Sequence, residues 1–313
     1  MRYRVRHTTH YRYSEEVLHS HQLLHLVPRP VPYQECLEHA IHISPGGYRR
    51  RDDVDAFGNP LSRIEIAQRH RRLEVRAEME IEVHPRPPLN ASDSLPWERV
   101  VASLSYWATP PARESLDACR FRHESPYVRV KSLFSVYAAD AFTAGRPVLE
   151  ASYALMTKLN REFRYAPGET TIATPLSEIL EKRRGVCQDF AHLMIACLRS
   201  RGLAARYVSG YVRRLQQSGT CATHAWVAVY CPPFGWVELD PTNNVRVSTD
   251  HVAIAWGRDF GDVSPLRGVI LGGGSHELAV DVSVESLDGK REASAKLAPA
   301  EITRENGSPT AAH

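Results

Sequence analysis

Three side chains suited to acyl chemistry follow one another along the chain. Cys187, His224 and Asp240 are separated by 37 and 16 positions. A thiol, an imidazole and a carboxylate can act as nucleophile, general base and orienting acid. Cys187 opens the stretch RRGVCQDFAHLMIACLRSRG, residues 183–202. Phe190, Ala191, Met194, Cys197 and Leu198 repeat there at helical spacing, which predicts a helix that begins at or near Cys187, has one apolar stripe and stops at Gly202. On the first turn of a helix, free backbone N–H groups and the positive end of the dipole favour a thiolate, and Arg183 and Arg184 add to that field. Taken alone, the position does not displace the ordinary reading of a free cysteine as a small buried apolar residue. The partners decide.

Those partners lie on two predicted strands, HAWVAVY and WVELD, read as a hairpin. Side chains alternate along a strand, so the even-numbered His224 and Asp240 share a face in any register with an even sum. If Phe234 opposes Tyr230, His224 directly opposes Asp240; with a turn two residues longer the two become diagonal neighbours. In either register the imidazole and carboxylate come within hydrogen-bond reach. Trp226 and Trp236 share that face and are candidates for the wall of a substrate cleft, with core packing as the competing role; Glu238 shares it as a substrate-binding or structural carboxylate. Asp189 suits the first turn of the Cys187 helix, and His192, off the stripe, is expected to cap or pack.

The elements that position these residues follow from the pattern. Strands are predicted over residues 3–13, 23–27, 37–43, 61–66 and 73–83, with DAFGNP (55–60) as a turn, so residues 1–88 form an antiparallel β module. Residues 89–145, punctuated by prolines, are a connector with short helices. A core over 146–288 contains helices at 147–164 and from Thr174 or Pro175 to Lys182, then the Cys187 helix. Strands follow at 205–212, 224–230, 236–239, 251–256 and 277–286, with a polar loop at 213–221. The tail, 289–313, is rich in Ala, Ser, Glu, Lys and Pro and is expected to be disordered. Arg258, Asp259, Asp262 and Arg267 read as an ion-pair loop. The fold class is α+β: a nucleophile helix on an antiparallel sheet, preceded by a β module.

GVCQDFAHLMIACLRSRGLAARYVSGYV resembles the nucleophile helix and following strand of the transglutaminase-like superfamily, within the papain-like cysteine enzymes. HAWVAVYCPPFGWVELDPTNN resembles that family's His and Asp strands. HTTHYRYSEEV, LVPRP and DAFGN resemble the N-terminal region of its bacterial members, and GRDFGDVSPLRGVI (257–270) resembles a block that follows the Asp strand. The resemblance covers most of residues 1–285 and leaves the connector unaccounted for. It implies Cys187 as nucleophile, His224 as base and Asp240 as orienting acid. Ala228 departs from the pattern, since many relatives have an acidic residue there, and this touches a secondary contact rather than the triad. The Cys187 backbone N–H is the natural first oxyanion donor, and Tyr165, in FRYAPGET, is the candidate for the second. The implied activity is acyl transfer at amide or isopeptide bonds of a peptide or protein. Water as acceptor gives a peptidase or amidase, and a primary amine gives transglutaminase-type transfer. A non-catalytic binding module on the same fold is the alternative.

A net charge of +3 without a long basic run gives no reason to expect nucleic acid. No apolar run approaches membrane-spanning length, and MRYRVRHTTHYRY lacks the apolar region of a signal peptide, so a cytoplasmic location is expected. The six cysteines, without a CxxC pair, are then expected as free thiols. His7, His10, His19, His21 and His25 invite a metal reading, and His19 and His21 share a strand face. No cysteine or carboxylate sits beside them at ligand spacing, so no metal is expected; nor is any cofactor. GGGSHE at 272 lacks the order of a nucleotide loop and reads as a flexible turn.

Overall fold

The computed structural model describes residues 1–105, 113–213 and 223–288. The expected polar loop beyond Arg213 and the expected tail lie outside the described residues. The chain folds as α+β in two units. One is formed by Met1–His84 with the described residues from Ser264 onward, the other by Pro85–Tyr211 with His224–Val263.

The first unit opens with β1 (Arg2–Leu24), β2 (Gln34–Ser44), β3 (Arg49–Val54), β4 (Pro60–Ile66) and β5 (His70–Val83). β1 is one strand of 23 residues rather than the two expected strands. Ser14, Glu15 and Glu16 read as a break but form a register irregularity between Arg12 and Val17 within the same strand. β5 shows why the sheet has a single core face. Leu73, Val75, Ala77, Met79, Ile81 and Val83 are buried at every second position, while the residues between them are charged or half-exposed. Each large aliphatic side chain so buried contributes about 1.5–3 kcal/mol. β3, RRRDDV, escapes sequence reading because it has no apolar alternation. It is an edge strand, and its charge guards that edge. In the DAFGN turn, the Asp55 carboxylate accepts the N–H groups of Phe57 and Asn59, each at 2.8 Å. Arg29, of LVPRP, donates to Asn59 Oδ1 at 2.8 Å, so two blocks distant in sequence meet.

The second unit begins with a 3₁₀ turn at Ala91–Asp93 and continues through α1 (Trp97–Ser103), α2 (Arg113–Cys119), α3 (Ser132–Ala138), α4 (Val148–Glu162), β6 (Arg164–Tyr165), α5 (Leu176–Lys182), β7 (Arg184–Gly185) and α6 (Cys187–Ser200). It then runs through β8 (Ala205–Val212), β9 (Thr223–Tyr230), β10 (Trp236–Asp240), β11 (Val245–Arg246), β12 (His251–Gly257) and α7 (Phe260–Val263). The expected connector is therefore part of this unit and supplies three of its helices. Its sheet has the order β11-β10-β9-β8-β12, so β12 crosses over to pair with β8. α6 is buried from Asp189 through Arg199 on every side, not along one stripe, and packs against α3, α4 and α5. Burial all round is what a central helix requires. At its end the Arg199 guanidinium donates to the carbonyls of Phe121, His123, Ala205 and Arg258, which satisfies a buried cation with backbone oxygens.

The chain then returns to the first unit as β13 (Leu266–Gly272) and β14 (His276–Ser286), both antiparallel to β1. This corrects the expected core boundary at 288: the core segment ends at Val263, and the residues after it complete the β1 sheet. β1 lies between β5 and β14 over its first half and between β4 and β13 over its second. GGGSHE, expected as a turn, falls instead at a break between β13 and β14, which run on in the same direction along β1.

Candidate active site

α6 starts at Cys187 because Asp189, its third residue, reaches back. Asp189 Oδ2 accepts the Val186 N–H at 2.8 Å and the Thr170 hydroxyl at 2.6 Å. Burial raises the Asp189 pKa, and these two bonds oppose the rise. Gly185 permits the arrangement, since a Cβ there would stand 2.6 Å from Asp189 Oδ2. The Cys187 N–H, on the first turn, has no intrahelical acceptor. β6 and β7 pair Tyr165 with Gly185, two residues before the thiol, and the Tyr165 side chain is half-buried.

His224 and Asp240 come from β9 and β10. Trp236 pairs with Tyr230 and Leu239 with Val227, which is the register of the longer turn. His224 and Asp240 are therefore diagonal neighbours on one face, with His224 Nε2 2.8 Å from Asp240 Oδ2. The Cys187 thiol lies near enough to the His224 ring to raise its pKa. With Nε2 turned to Asp240, Nδ1 is the ring nitrogen left for the thiol. All three residues come together, with Asp240 fully buried and His224 nearly so. Burial alone would lower the His224 pKa. The Asp240 charge, its hydrogen bond and the Cys187 contact outweigh burial and raise it. Burial likewise acts to raise Asp240, but His224 and then His251 hold its carboxyl well below the usual range.

Two partners in this cluster are absent from the sequence reading. His251, the first residue of β12, places Nε2 3.0 Å from the same Asp240 Oδ2. Asn243 donates its side-chain amide to that oxygen at 2.7 Å, and the backbone N–H groups of Thr242 and Asn243 bond Oδ1 at 3.0 and 3.2 Å. The turn-forming PTNN after Asp240 is a signal for the backbone donors. No local signal marks His251, because β12 joins the sheet on the far side of β8. His224, Asp240 and His251 also form a group whose ligand atoms lie within 4.8 Å of one another. The carboxylate there is already bonded by five donors, so an ion would have to displace them.

The other candidates separate by burial. Trp226 is fully buried in a cluster with Val208, Ala228, Val247 and Ala253, and donates its indole N–H to Glu238 at 2.8 Å. It does not wall a cleft. Trp236 is half-buried, with the Arg206 guanidinium 3.6 Å from its ring centroid and Phe121 edge-on, which is packing too. Glu238 also bonds Arg86 at 3.2 Å, a structural role. His192 accepts the Phe260 N–H and stacks on Tyr127. Arg258 pairs with Asp262 at 2.9 Å, and buried Asp259 accepts the Tyr127 N–H, as an ion-pair loop would; Arg267 lies apart, on β13.

The comparisons agree with this architecture. Residues 3–82 match the bacterial transglutaminase-like N-terminal region, and residues 137–241 match the transglutaminase-like superfamily. An uncharacterized protein of Mycobacterium tuberculosis (strain H37Rv) is 37% identical over 297 residues, covering 91% of this chain and 92% of its own. A protein-glutamine gamma-glutamyltransferase of Pseudomonas aeruginosa is 31% identical over 106 residues, 29% of this chain and 16% of the relative. A solved structure described as a proposed cysteine protease from Cytophaga hutchinsonii superposes with a TM-score of 0.71 at 18% identity, over 97% of this chain and 95% of the other, which is a likeness of fold. On the two matched regions and the fold they share, the chain belongs to the transglutaminase-like superfamily and carries the bacterial N-terminal region ahead of its core.

Proposed function

We propose that this protein is a thiol-dependent acyl-transfer enzyme acting on amide or isopeptide bonds, with hydrolysis as its main outcome. The observation that carries the reading is the buried His224–Asp240 pair, 2.8 Å apart, with Cys187 at the start of α6 near enough to the imidazole to raise its pKa. His224 takes the thiol proton, and the Cys187 sulfur attacks the substrate carbonyl carbon. The C–S bond forms, the C–N bond breaks, and the imidazolium hands its proton to the departing amine. Water then attacks the thioester, His224 removes its proton, and the acid leaves with the thiol restored. Asp240 holds the ring and stabilises its positive charge. The Cys187 N–H is the oxyanion donor at the helix start, and Tyr165 is proposed as the second donor on the strength of its pairing beside Gly185.

The amine-transfer reading differs only in the acceptor. It draws support from the Pseudomonas aeruginosa relative, whose name describes gamma-glutamyl transfer from protein glutamine. Intact-mass spectrometry after incubation with a peptide-amide library, with and without a primary amine, separates the outcomes. A thioester adduct on Cys187 that resolves to free acid identifies a peptidase or amidase; one that resolves onto the amine identifies a transferase. Turnover persisting in Cys187→Ala would end the scheme. Absence of any adduct across the library would favour a binding module.

A further inference from the structure

His19 and His21 are two residues apart on β1, so their rings leave the sheet on one face. On that face His21 is paired with Glu65 of β4 on one side and Val269 of β13 on the other, and His19 with Leu271. The two Nε2 atoms are 3.0 Å apart, and His19 Nε2 lies 3.5 Å from Glu65 Oε1. The carboxylate missing from the sequence neighbourhood thus comes from the adjacent strand, and the three ligand atoms all lie within 4.8 Å of one another.

One hydrogen bond cannot satisfy this group. If one ring donates its Nε2 proton to the other, His19 Nε2 still faces both an imidazole nitrogen and a carboxylate oxygen. A divalent cation serves all three ligand atoms at once. Nitrogens held at about 2.0–2.1 Å by a tetrahedral zinc ion are about 3.3 Å apart. Two of the three separations, 3.0 and 3.5 Å, bracket that spacing, and the third, from His21 Nε2 to Glu65 Oε1, is within 4.8 Å. His19 and Glu65 keep 34% and 36% of their side-chain surface exposed, which leaves an open side for water to complete the shell. The other oxygen of Glu65 is 4.0 Å from Arg49 Nη1, on the side away from the histidines.

We infer that His19, His21 and Glu65 form a binding site for an imidazole-preferring divalent metal ion of the zinc, nickel or copper class, clamping β1 to β4. The site shares no residue with the Cys187 cluster, so its test is independent of the proposed reaction. Untagged full-length chain carrying Cys187→Ala, stripped with chelator, is titrated calorimetrically with zinc chloride. One equivalent is expected to bind, and the thermal midpoint is expected to rise with zinc through binding to the folded state alone. His19→Ala and His21→Ala should each weaken binding by about tenfold or more, and Glu65→Gln should weaken it by less. His19→Gln guards against a folding defect. Cobalt(II) should give ligand-field bands without thiolate charge transfer. No binding at millimolar zinc, undiminished binding in the histidine variants, or a thiolate–cobalt band would each overturn the proposal.

Discussion

Asp240 accepts hydrogen bonds from His224, His251, the Asn243 amide and the backbone of Thr242 and Asn243. A buried carboxylate with that many donors is fixed in place, and the strain of moving it would fall on His224. On the proposed chemistry, Asp240→Asn keeps the packing but loses the charge that stabilises the imidazolium, and kcat should fall by roughly 10²–10⁴-fold. His251→Phe preserves contact with Trp226 but removes one bond to Oδ2. It should lower kcat by about tenfold, near 1.4 kcal/mol, with KM nearly unchanged. A loss confined to KM, in steady-state kinetics with a hydrolysed peptide amide, would refute the positioning role. The three principal residues were legible in the sequence because their placement depends on local rules: a helix start for Cys187 and strand parity for His224 and Asp240. His251 depends on a strand crossover, which no local rule reaches.

At the scale of elements, the central sheet is packed tightly enough to be tested at one glycine. A Cβ on Gly210, in β8, would lie 2.1 Å from the Val252 carbonyl and 2.5 Å from Trp226 Cη2. Neither can yield, because one is backbone in the neighbouring β12 and the other is a fully buried ring. Gly210→Ala should destabilise the protein by about 3 kcal/mol, seen as a lower urea midpoint. Helices α4, α5 and α6 and strands β4, β5, β8, β9, β10 and β12 were legible because apolar residues recur at helical or strand spacing. β3 and β13 were not. β3 is charged up to its final valine, and β13 is partly exposed along its whole length, so neither bears the imprint of a core. The pairing of β14 with β1 rather than with the core sheet was equally hidden, since nothing near residue 280 specifies a partner near residue 9.

For the molecule as a whole, the buried histidines govern acid stability. Burial pulls His7 down to about 4, and burial, followed by the Arg199 charge, pulls His192 down to about 3. In the unfolded chain both titrate near 6.5. Below that value the unfolded state takes up protons that the folded state refuses, so stability is full above about pH 6.5 and declines as pH falls toward the folded values. Each histidine should cost about 2 kcal/mol by pH 5. His224, with its pKa raised, acts in the opposite sense and only above pH 6.5; Asp240, with its pKa lowered, acts only below the ordinary carboxylate range. Urea denaturation at pH 7 and 5 should therefore show a fall in stability that His7→Gln reduces. A flat profile in the parent chain would contradict this.

The pairing of Tyr3 with Ser286 has a consequence for how the protein is made. β1 is made before β13 and β14, and one of its two flanks is filled only when those strands follow, after residues 85–263. Throughout that interval a long strand waits with a bare edge, the condition that invites pairing with another chain. Residues 1–88 expressed alone should self-associate in size-exclusion chromatography, whereas residues 1–84 joined by a short linker to 264–288 should run as a monomer. Synthesis of this chain is thus a race between closing its own sheet and lending that sheet to a neighbour.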